Sequence, residues 1–284
     1  GHSGGFFHTY DAFAIDQTAP HKLHLFIPRD YETSTDRYPV IYMNDGDTSF
    51  FPGGVVNKSW HMAEVLSTLY QNQQIRQAIV VAICPRDRDR EYTHAPVWDR
   101  PCCGLETYAG YVAQSVKGFI DEQYRTLADA QNTMILGSSH GGLAAFYIAT
   151  HYPDQFRLVG ALSSSFWVGL DSSWVSTGQV PQMPFLSSLR SSQLIERAKN
   201  TLQNPEKRLK IYLDWGLVRQ GGFHNAFIED RATVRGREMR DLLVNEFGYR
   251  LNHSLFVVED PQGDHTEEAW SRRVPDVLKL FFGT

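Results

Sequence analysis

A glycine-rich pentapeptide at residues 137–141 constrains this chain more than any other feature of its sequence. It reads Gly137-Ser138-Ser139-His140-Gly141 and fits the pattern G-x-S-x-G. The residues before it, Thr133 to Leu136, form a short apolar run that is typical of a buried parallel strand. The residues after it, Leu143 to Ala149, predict a packed helix. We therefore expect a sharp turn from strand to helix, with Ser139 at its tip.

A turn of this kind suits a serine nucleophile. A serine hydroxyl reacts poorly at neutral pH unless a base can reach it and backbone N–H groups face the developing oxyanion. Gly137 and Gly141 leave room for the close crossing of strand and helix, which a side chain would block. We interpret Ser139 as a catalytic nucleophile, and the alternative is a loop serine that caps the following helix.

The rest of the chain alternates apolar strand-like runs with amphipathic segments from about residue 38 onward. This alternation is typical of a mostly parallel sheet with helices on both faces, so we predict an α/β fold with about eight strands. Two earlier runs predict an antiparallel pair at the edge of the sheet. The predicted strands are 6–15, 22–27, 38–44, 78–84, 133–137, 158–163, 209–215 and 254–259. With 284 residues, 42% of them hydrophobic, the chain can bury the core of one large domain.

One segment interrupts the alternation of strands and helices. Residues 164–205 are rich in Ser, Gln and Pro with apolar interruptions, and the segment is long for a plain connection. We interpret it as an insertion over the strand ends that forms a wall or lid of the substrate site. The alternative is a surface excursion without a role. Since no internal repeat or linker is evident, a single domain over residues 1–284 is the simplest interpretation.

Charge and composition argue against several classes of protein. The net charge is −5, the pI is about 6.1 and the basic residues are scattered, which argues against a nucleic-acid surface. No apolar stretch approaches the length of a transmembrane helix. Three cysteines are too few for a disulfide framework, and a bridge between Cys102 and Cys103 is disfavoured because the two residues are adjacent. No cluster of His and Cys residues has the spacing of a zinc site. Because the chain begins at Gly1, we expect a processed or engineered start. As the location of the protein, we favour the cytoplasm.

The loops after the last two predicted strands carry the candidate base and acid. In a sheet of this order the histidine that activates the serine follows the last strand, and His265 stands there behind Gly263. The acid that orients this histidine should follow the penultimate strand. Asp214 lies at the end of that strand and is the first candidate. Asp230 and Glu229 come later, just before a helix, where the alternative role is helix N-capping.

Two backbone N–H groups are candidates for an oxyanion hole. One belongs to His140, the residue after the candidate nucleophile, and the other to Asp47, in the loop after the predicted strand 38–44. Gly46 lets the backbone approach a substrate there. Because a carboxylate beside an oxyanion would oppose catalysis, we expect the side chain of Asp47 to point away.

The candidate substrate contacts are an arginine and a group of aromatic residues. Arg90 is suited to bind an anionic group of a substrate, or it braces its own loop by pairing with Glu91. Aromatic side chains that follow strand ends are suited to an acyl or aryl pocket, although large aromatics are usually core residues. Phe166 and Trp167 are the two that we select as substrate contacts. The other aromatic candidates are Phe50, Phe51, Trp60 and Trp98.

The sequence resembles the esterase D group of α/β-hydrolases, which includes S-formylglutathione hydrolases, enterochelin-type esterases, feruloyl and acetylxylan esterases and mycolyltransferases. The resemblance runs from about residue 22 to the C-terminus, and its elements are jointly specific. The stretches that carry it are Val40 to Asp47, Arg90 to Thr93, Phe119 to Thr126, Gly137 to Gly142 with Pro153 and Phe156, and Gly263 to His265 with Trp270.

The resemblance implies the α/β-hydrolase fold and hydrolysis of an ester or thioester by Ser139 and His265. One position departs from the family, because members commonly place the acid where this chain has Arg219. Three alternatives follow: Asp214 is the acid, another acid of the loop takes that role, or the enzyme works with the Ser-His pair alone. We expect a serine carboxylic-ester hydrolase that acts on a small-molecule ester through an acyl-serine intermediate and needs no cofactor or metal. The alternatives are an acyltransferase with the same residues and a non-catalytic binding protein of the same fold. The sequence is compatible with a homodimer.

Overall fold

The computed structural model of the chain describes residues 2–15, 19–54, 57–171 and 188–284. Within these residues, eight strands form one sheet in the order β1-β2-β4-β3-β5-β6-β7-β8. β1 and β2 are antiparallel at one edge, and the six strands from β4 to β8 across the sheet run parallel. The strands are β1 Gly5–Phe13, β2 His21–Pro28, β3 Val40–Asn44, β4 Ile79–Ile83, β5 Thr133–Ser138, β6 Leu158–Leu162, β7 Lys210–Gly216 and β8 Leu255–Asp260.

The predicted α/β class, the number of strands and the antiparallel edge pair are confirmed. The central strands β3, β4, β5 and β6 are buried along their whole length, as the unbroken apolar runs indicate. Predicted and observed strand ends differ by at most two residues. Ladder hydrogen bonds stop where a neighbouring strand ends, which the chain's own pattern does not show.

Helices cover both faces of the sheet. The helices of the described residues are α1 Gly46–Ser49, α2 Met62–Gln71, α3 Arg88–Glu91, α4 Leu105–Gly110, α5 Lys117–Gln123, α6 His140–His151, α7 Gln193–Gln203, α8 Asp230–Asn245 and α9 Glu267–Phe282. The face packed with Ile41, Met43 and Leu136 lies under α2 and α9, and the opposite face lies under the helices from α4 to α8. π-helical segments at Tyr111–Val116 and His224–Glu229 precede α5 and α8. None of the described helices has the length and apolar composition needed to cross a membrane.

The segment 164–205 falls into three parts. Residues 164–171 follow β6 at the carboxyl edge of the sheet, and residues 172–187 lie outside the described residues. The remainder contains α7, which packs against α6: the Thr201 hydroxyl donates to the carbonyl oxygen of Thr150 at 2.6 Å. The part of the segment from residue 188 onward therefore contains a helix that packs on the core.

The structure corrects one expectation about the cysteines. Cys102 and Cys103 form a disulfide between adjacent residues, in the loop between α3 and α4. Cys103 has a φ of 73°, a left-handed backbone conformation, so the local chain departs from the ordinary geometry that disfavours a bridge between adjacent cysteines. Cys84 is free and buried, as its place at the end of an apolar strand indicates.

Candidate active site

Ser139 occupies the tight turn between β5 and α6. Its φ of 56° and ψ of −123° are rare for a residue with a side chain, and its N–H donates to the carbonyl oxygen of Leu162 at 2.9 Å. A backbone held in such a strained conformation is typical of functional sites. The turn predicted from the glycine-rich pentapeptide is therefore present, with Ser139 at its tip.

Gly137 is the glycine that this turn requires most. A Cβ built on Gly137 would lie 2.2 Å from the carbonyl oxygen of Gly141, a backbone atom that cannot move aside. We expect Gly137→Ala to destabilise the protein by about 3 kcal/mol through overpacking. Gly118→Ala is the control, because that glycine is exposed on α5 and a Cβ there meets no described atom within 4 Å. Urea unfolding should show Gly118→Ala unchanged or more stable, and similar midpoints for the two variants would contradict the argument.

The structure brings together Ser139, His265 and Glu229. Nε2 of His265 lies 2.9 Å from Oγ of Ser139, and Nδ1 of His265 forms a short hydrogen bond with Oε2 of Glu229. All three residues are buried, and Glu229 is 0% exposed. Ser139 follows β5, His265 follows β8, and Glu229 ends the π-helical segment between β7 and α8. The three meet because parallel strands end at the same edge of a sheet.

Three donors converge on the carboxylate of Glu229. Besides His265, it accepts hydrogen bonds from the hydroxyl of Ser163, at 2.9 Å, and from the backbone N–H of Gly216. Burial alone would raise the pKa of Glu229, but the hydrogen bond and charge of His265 and the donors Gly216 and Ser163 outweigh it and hold the pKa below its usual range. Glu229 is therefore an ionised carboxylate facing the imidazole.

Asp214 does not lie against His265, contrary to the first candidate assignment. Its carboxylate accepts from Nε and Nη2 of Arg273 at 2.8 and 3.0 Å, and from the hydroxyl of Tyr212 at 3.0 Å. Side chains alternate along a strand, so Asp214 shares the face of Tyr212, which packs under α9. Arg273 belongs to α9. The position of Asp214 inside the strand therefore directs its carboxylate to the helix layer, not to the carboxyl edge.

Asp230, the other alternative, pairs with arginines near the surface. Its Oδ1 is 3.3 Å from Nε of Arg219, and its Oδ2 pairs with Arg231 at 2.5 Å. Arg219 stands where family members commonly have the acid. It donates to the carbonyl oxygen of Gly216 at 3.0 Å and to the hydroxyl of Thr233 at 2.7 Å. Arg219 thus braces the loop from β7 to α8, and the carboxylate that contacts His265 belongs to Glu229, ten residues later.

The end of β3 lies against the start of α6. The side-chain amide of Asn44 donates to the carbonyl oxygen of Gly141 at 2.8 Å, and a Cβ on Gly141 would approach Oδ2 of Asp45 to 2.8 Å. His140 is the first residue of α6, and Asp47 is the second residue of α1. At these positions a backbone N–H group has no partner within its own helix. The side chain of Asp47 is exposed.

Arg88, rather than Arg90, reaches this region. Its guanidinium pairs with the carboxylate of Asp45 through Nε and Nη2, at 2.7 and 3.0 Å. Arg90 is exposed and packs against Gly104, whose N–H donates to the Arg90 carbonyl oxygen at 2.9 Å. Glu91, the predicted partner of Arg90, binds His21 at 2.8 Å instead. Arg90 as a substrate contact stays a prediction, and Arg88 is the arginine of this turn that contacts Asp45 beside Gly141.

Trp167 and Phe166 lie on different sides of the backbone after β6. The Trp167 ring lies 5.7 Å from the ring of His140, whereas Phe166 packs against Phe146 of α6 in the core. Both residues are buried, Phe166 at 1% and Trp167 at 0% exposure, so their neighbours distinguish them: Phe166 faces the core helix α6, and Trp167 lies beside His140. Four rings form a contiguous set that we call the aromatic wall: Trp98, Trp167, Phe223 and Phe227. Among the other aromatic candidates, Phe50 packs on Phe7 and Trp60 on Trp270, while Phe51 contacts Phe7 and His24 at the sheet edge.

Sequence reasoning missed several polar residues of the site. Ser163 and Ser165 follow β6 and reach Glu229 and Ser139, respectively. The side chain of Asn225 accepts from the N–H of His265 at 2.9 Å, and Arg273 donates to the Ser163 hydroxyl at 3.0 Å. The run Ser163-Ser164-Ser165 directly after a buried strand was an available signal, because polar residues at that position face the carboxyl edge.

Comparisons with known proteins identify the family and the fold of this chain. A family model described as Putative esterase matches residues 18–281. The chain is 25% identical over 150 residues to the uncharacterised protein YbbA of Bacillus subtilis (strain 168), a match that covers 50% of this chain and 56% of that protein. The matched region thus spans little more than half the length of that relative.

Similar solved structures include an IroE-like serine hydrolase from Shewanella oneidensis, with a TM-score of 0.70 and 19% identity over 98% of this chain and 80% of that chain. A feruloyl esterase module from Clostridium thermocellum, solved with sinapinate, has a TM-score of 0.63 and 16% identity over 99% and 89%. At such identities these similarities establish the fold, which is that of the α/β-hydrolases. Since the family model spans nearly the whole chain, the protein belongs to this esterase family.

Proposed function

We propose that this protein is a serine carboxylic-ester hydrolase in which Ser139, His265 and Glu229 form the catalytic triad. The observation that carries the proposal is the continuous line of hydrogen bonds from Ser139 through His265 to an ionised, fully buried Glu229. A serine at a strained turn, a histidine within 3 Å and a third group that orients the histidine are the recognised parts of such a site.

The proposed reaction has two stages. His265 accepts the hydroxyl proton through Nε2 while Oγ of Ser139 attacks the ester carbonyl, and the imidazolium then protonates the leaving alcohol. Water repeats these steps on the acyl-serine and releases the acid. Glu229 fixes the tautomer with the proton on Nδ1, and its negative charge stabilises the imidazolium. The N–H groups of His140 and Asp47 are the proposed oxyanion donors.

Intact-protein mass spectrometry tests the acyl-serine directly. Mixing the enzyme with p-nitrophenyl acetate and quenching in acid should give a mass increase of one acetyl group, located on Ser139 by peptide mapping. Ser139→Ala should give none, and a fluorophosphonate should label only the wild type. A folded wild type that neither acquires the acetyl group nor reacts with the fluorophosphonate would refute the proposal. Product analysis with a competing alcohol distinguishes hydrolysis from acyl transfer.

We further propose that the aromatic wall binds the acyl or alcohol part of a small-molecule ester. The wall begins at Trp167, beside His140, and extends to Phe223, which is 46% exposed. Trp98 lies between them, and the guanidinium of Arg100 lies 5.7 Å from its ring. The φ of Trp98 is 53°, a backbone conformation that is unfavourable for so large a residue. A row of aromatic rings that runs from the exposed Phe223 to the buried Trp167 beside the nucleophile turn favours a flat, apolar substrate group. The residues 164–171 would then form one side of the site, as the insertion hypothesis expects.

Trp98→Ala tests the aromatic wall. One aromatic contact contributes about 1 kcal/mol, so we expect KM for an aryl ester to rise about fivefold and KM for an acetyl ester to change by less than twofold. Phe51→Ala is the control, since Phe51 is an exposed aromatic residue that contacts Phe7 and His24 instead of the wall. Steady-state kinetics on matched aryl and acetyl esters measures the difference. Equal changes of KM for both esters would contradict a role in substrate selection.

A further inference from the structure

The nucleophile has a second hydroxyl neighbour. Oγ of Ser165 lies 3.3 Å from Oγ of Ser139, on which Nε2 of His265 already lies at 2.9 Å. The reactive oxygen therefore contacts two hydrogen-bonding side chains. In the proposed mechanism the Ser139 hydroxyl donates its proton to His265. The Ser139 oxygen can therefore use a lone pair to accept a hydrogen bond from the Ser165 hydroxyl.

The backbone fixes Ser165 in this position. The N–H of Ser165 donates to the carbonyl oxygen of Ser139 at 3.0 Å, and the carbonyl oxygen of Ser165 accepts from the N–H of Val168 at 3.1 Å. Ser165 is 0% exposed. The turn after β6 is thus tied to the turn that carries the nucleophile, and the Ser165 hydroxyl is placed by the fold instead of by solvent.

The imidazole of His140 completes a chain of three side chains. Nδ1 of His140 lies 2.8 Å from Oγ of Ser165. Burial, and then the positive charge of Arg88, hold the pKa of His140 well below its usual range, so its ring is neutral and carries one N–H. If that proton is on Nδ1, His140 donates to Ser165, and the Ser165 proton is directed to Ser139.

We propose that Ser165 is a catalytic residue that donates a hydrogen bond to the Ser139 oxygen as that oxygen leaves the acyl group. This inference rests on the acyl-serine mechanism proposed above. In deacylation, the bond between the acyl carbon and Oγ of Ser139 breaks, the electron pair stays on Oγ, and the proton on Nε2 of His265 moves to it. The Ser165 hydroxyl keeps its own proton and stabilises the negative charge that develops on Oγ.

This hydrogen bond favours deacylation over acylation. In the acyl-enzyme, Oγ of Ser139 is an ester oxygen and a weak acceptor, and it becomes a strong acceptor only as the bond breaks. In the free enzyme, Oγ is already a hydroxyl oxygen that accepts a hydrogen bond from Ser165. This bond therefore stabilises the transition state of acylation, relative to the free enzyme, less than it stabilises that of deacylation relative to the acyl-enzyme. Only an interaction that strengthens on the way to the transition state accelerates a step.

Ser165→Ala is therefore expected to slow deacylation about tenfold, as befits one hydrogen bond to a charged oxygen, and to change acylation by less than about threefold. With p-nitrophenyl acetate, kcat and KM should fall together while kcat/KM stays nearly constant. Stopped-flow bursts give the acylation rate, and mass spectrometry of quenched acetyl-enzyme gives the deacylation rate. Ser165→Thr retains a hydroxyl and should restore most of the deacylation rate.

Ser164→Ala is the matched control. Ser164 is an adjacent buried serine whose hydroxyl lies against Gly142 and forms no hydrogen bond to a described residue. It should deacylate at the wild-type rate. If Ser165→Ala deacylates as fast as the wild type, or loses acylation and deacylation equally, Ser165 serves only the structure and the inference is wrong. A wild type that forms no acetyl-enzyme would instead overturn the proposed function, so the two failures are distinguishable.

Discussion

Replacing Glu229 with glutamine is expected to lower kcat for ester hydrolysis by about 1,000- to 10,000-fold, the loss that follows when the acid of a Ser-His-Asp triad becomes an amide. The reason lies in the hydrogen bond to Nδ1 of His265. A glutamine can donate its NH2 group to Nδ1, which leaves the proton on Nε2 facing Ser139. An imidazole in that tautomer cannot accept the hydroxyl proton. Steady-state kinetics with p-nitrophenyl acetate measures the loss.

Asp230→Asn is the control for this substitution. Asp230 is the next residue along the chain, and its carboxylate pairs with Arg219 and Arg231 instead of reaching the imidazole. We expect its kcat to stay within about twofold of the wild type, because pairs on the surface contribute little. Thermal unfolding of both variants establishes that they are folded. A Glu229→Gln enzyme with near wild-type turnover, or an equal loss in Asp230→Asn, would remove Glu229 from the triad.

The sheet could be predicted because each of its central strands is an uninterrupted apolar run. Burial on both faces removes the need for polar residues, so the runs at β3, β4, β5 and β6 are continuous in the sequence. Ser139 could be placed because its turn requires glycines at fixed positions, and a Cβ on Gly137 or Gly142 would collide with its surroundings. Such requirements are local, and local requirements are visible in a sequence.

The position of the proposed acid is not determined locally. Glu229 belongs to a π-helical segment, His224–Glu229, in which each hydrogen bond spans five residues instead of four, and the extra residue changes the direction of each side chain. A sequence pattern with the ordinary helical period does not reveal that extra residue. Asp214 lies away from His265 for a related reason: it is close to the strand end, but it shares the face of Tyr212, so its carboxylate meets Arg273 of α9.

Contacts between distant loops were also beyond the sequence. The link from Ser165 to Ser139 spans 26 residues and depends on how two turns cross at the sheet edge. The aromatic wall joins the loop of Trp98 to Phe223, which is far from it in the chain. Each depends on tertiary geometry that overrides local preference.

Arg273→Leu is expected to lower the free energy of unfolding by about 3–5 kcal/mol, the loss typical of leaving one partner of a buried ion pair without its counter-charge. The side chains of Arg273 and Asp214 are 6% and 0% exposed, and Nε of Arg273 lies 2.8 Å from Oδ2 of Asp214. The arginine also donates to the Ser163 hydroxyl, which in turn donates to Glu229. Loss of the guanidinium should therefore weaken the support of the acid as well as the core.

Urea unfolding of three variants separates the charge effect from the loss of packing. The double variant Asp214→Leu with Arg273→Leu removes both charges, so it should recover much of the stability lost in Arg273→Leu alone, since apolar replacements of a buried pair are often neutral. Arg237→Leu is the surface control. Arg237 pairs with Glu259 at 2.7 Å, but these side chains are 47% and 33% exposed, and such a pair contributes about 1 kcal/mol or less. If the double variant is no more stable than Arg273→Leu, or if Arg237→Leu costs as much, the stabilisation does not come from neutralising Asp214.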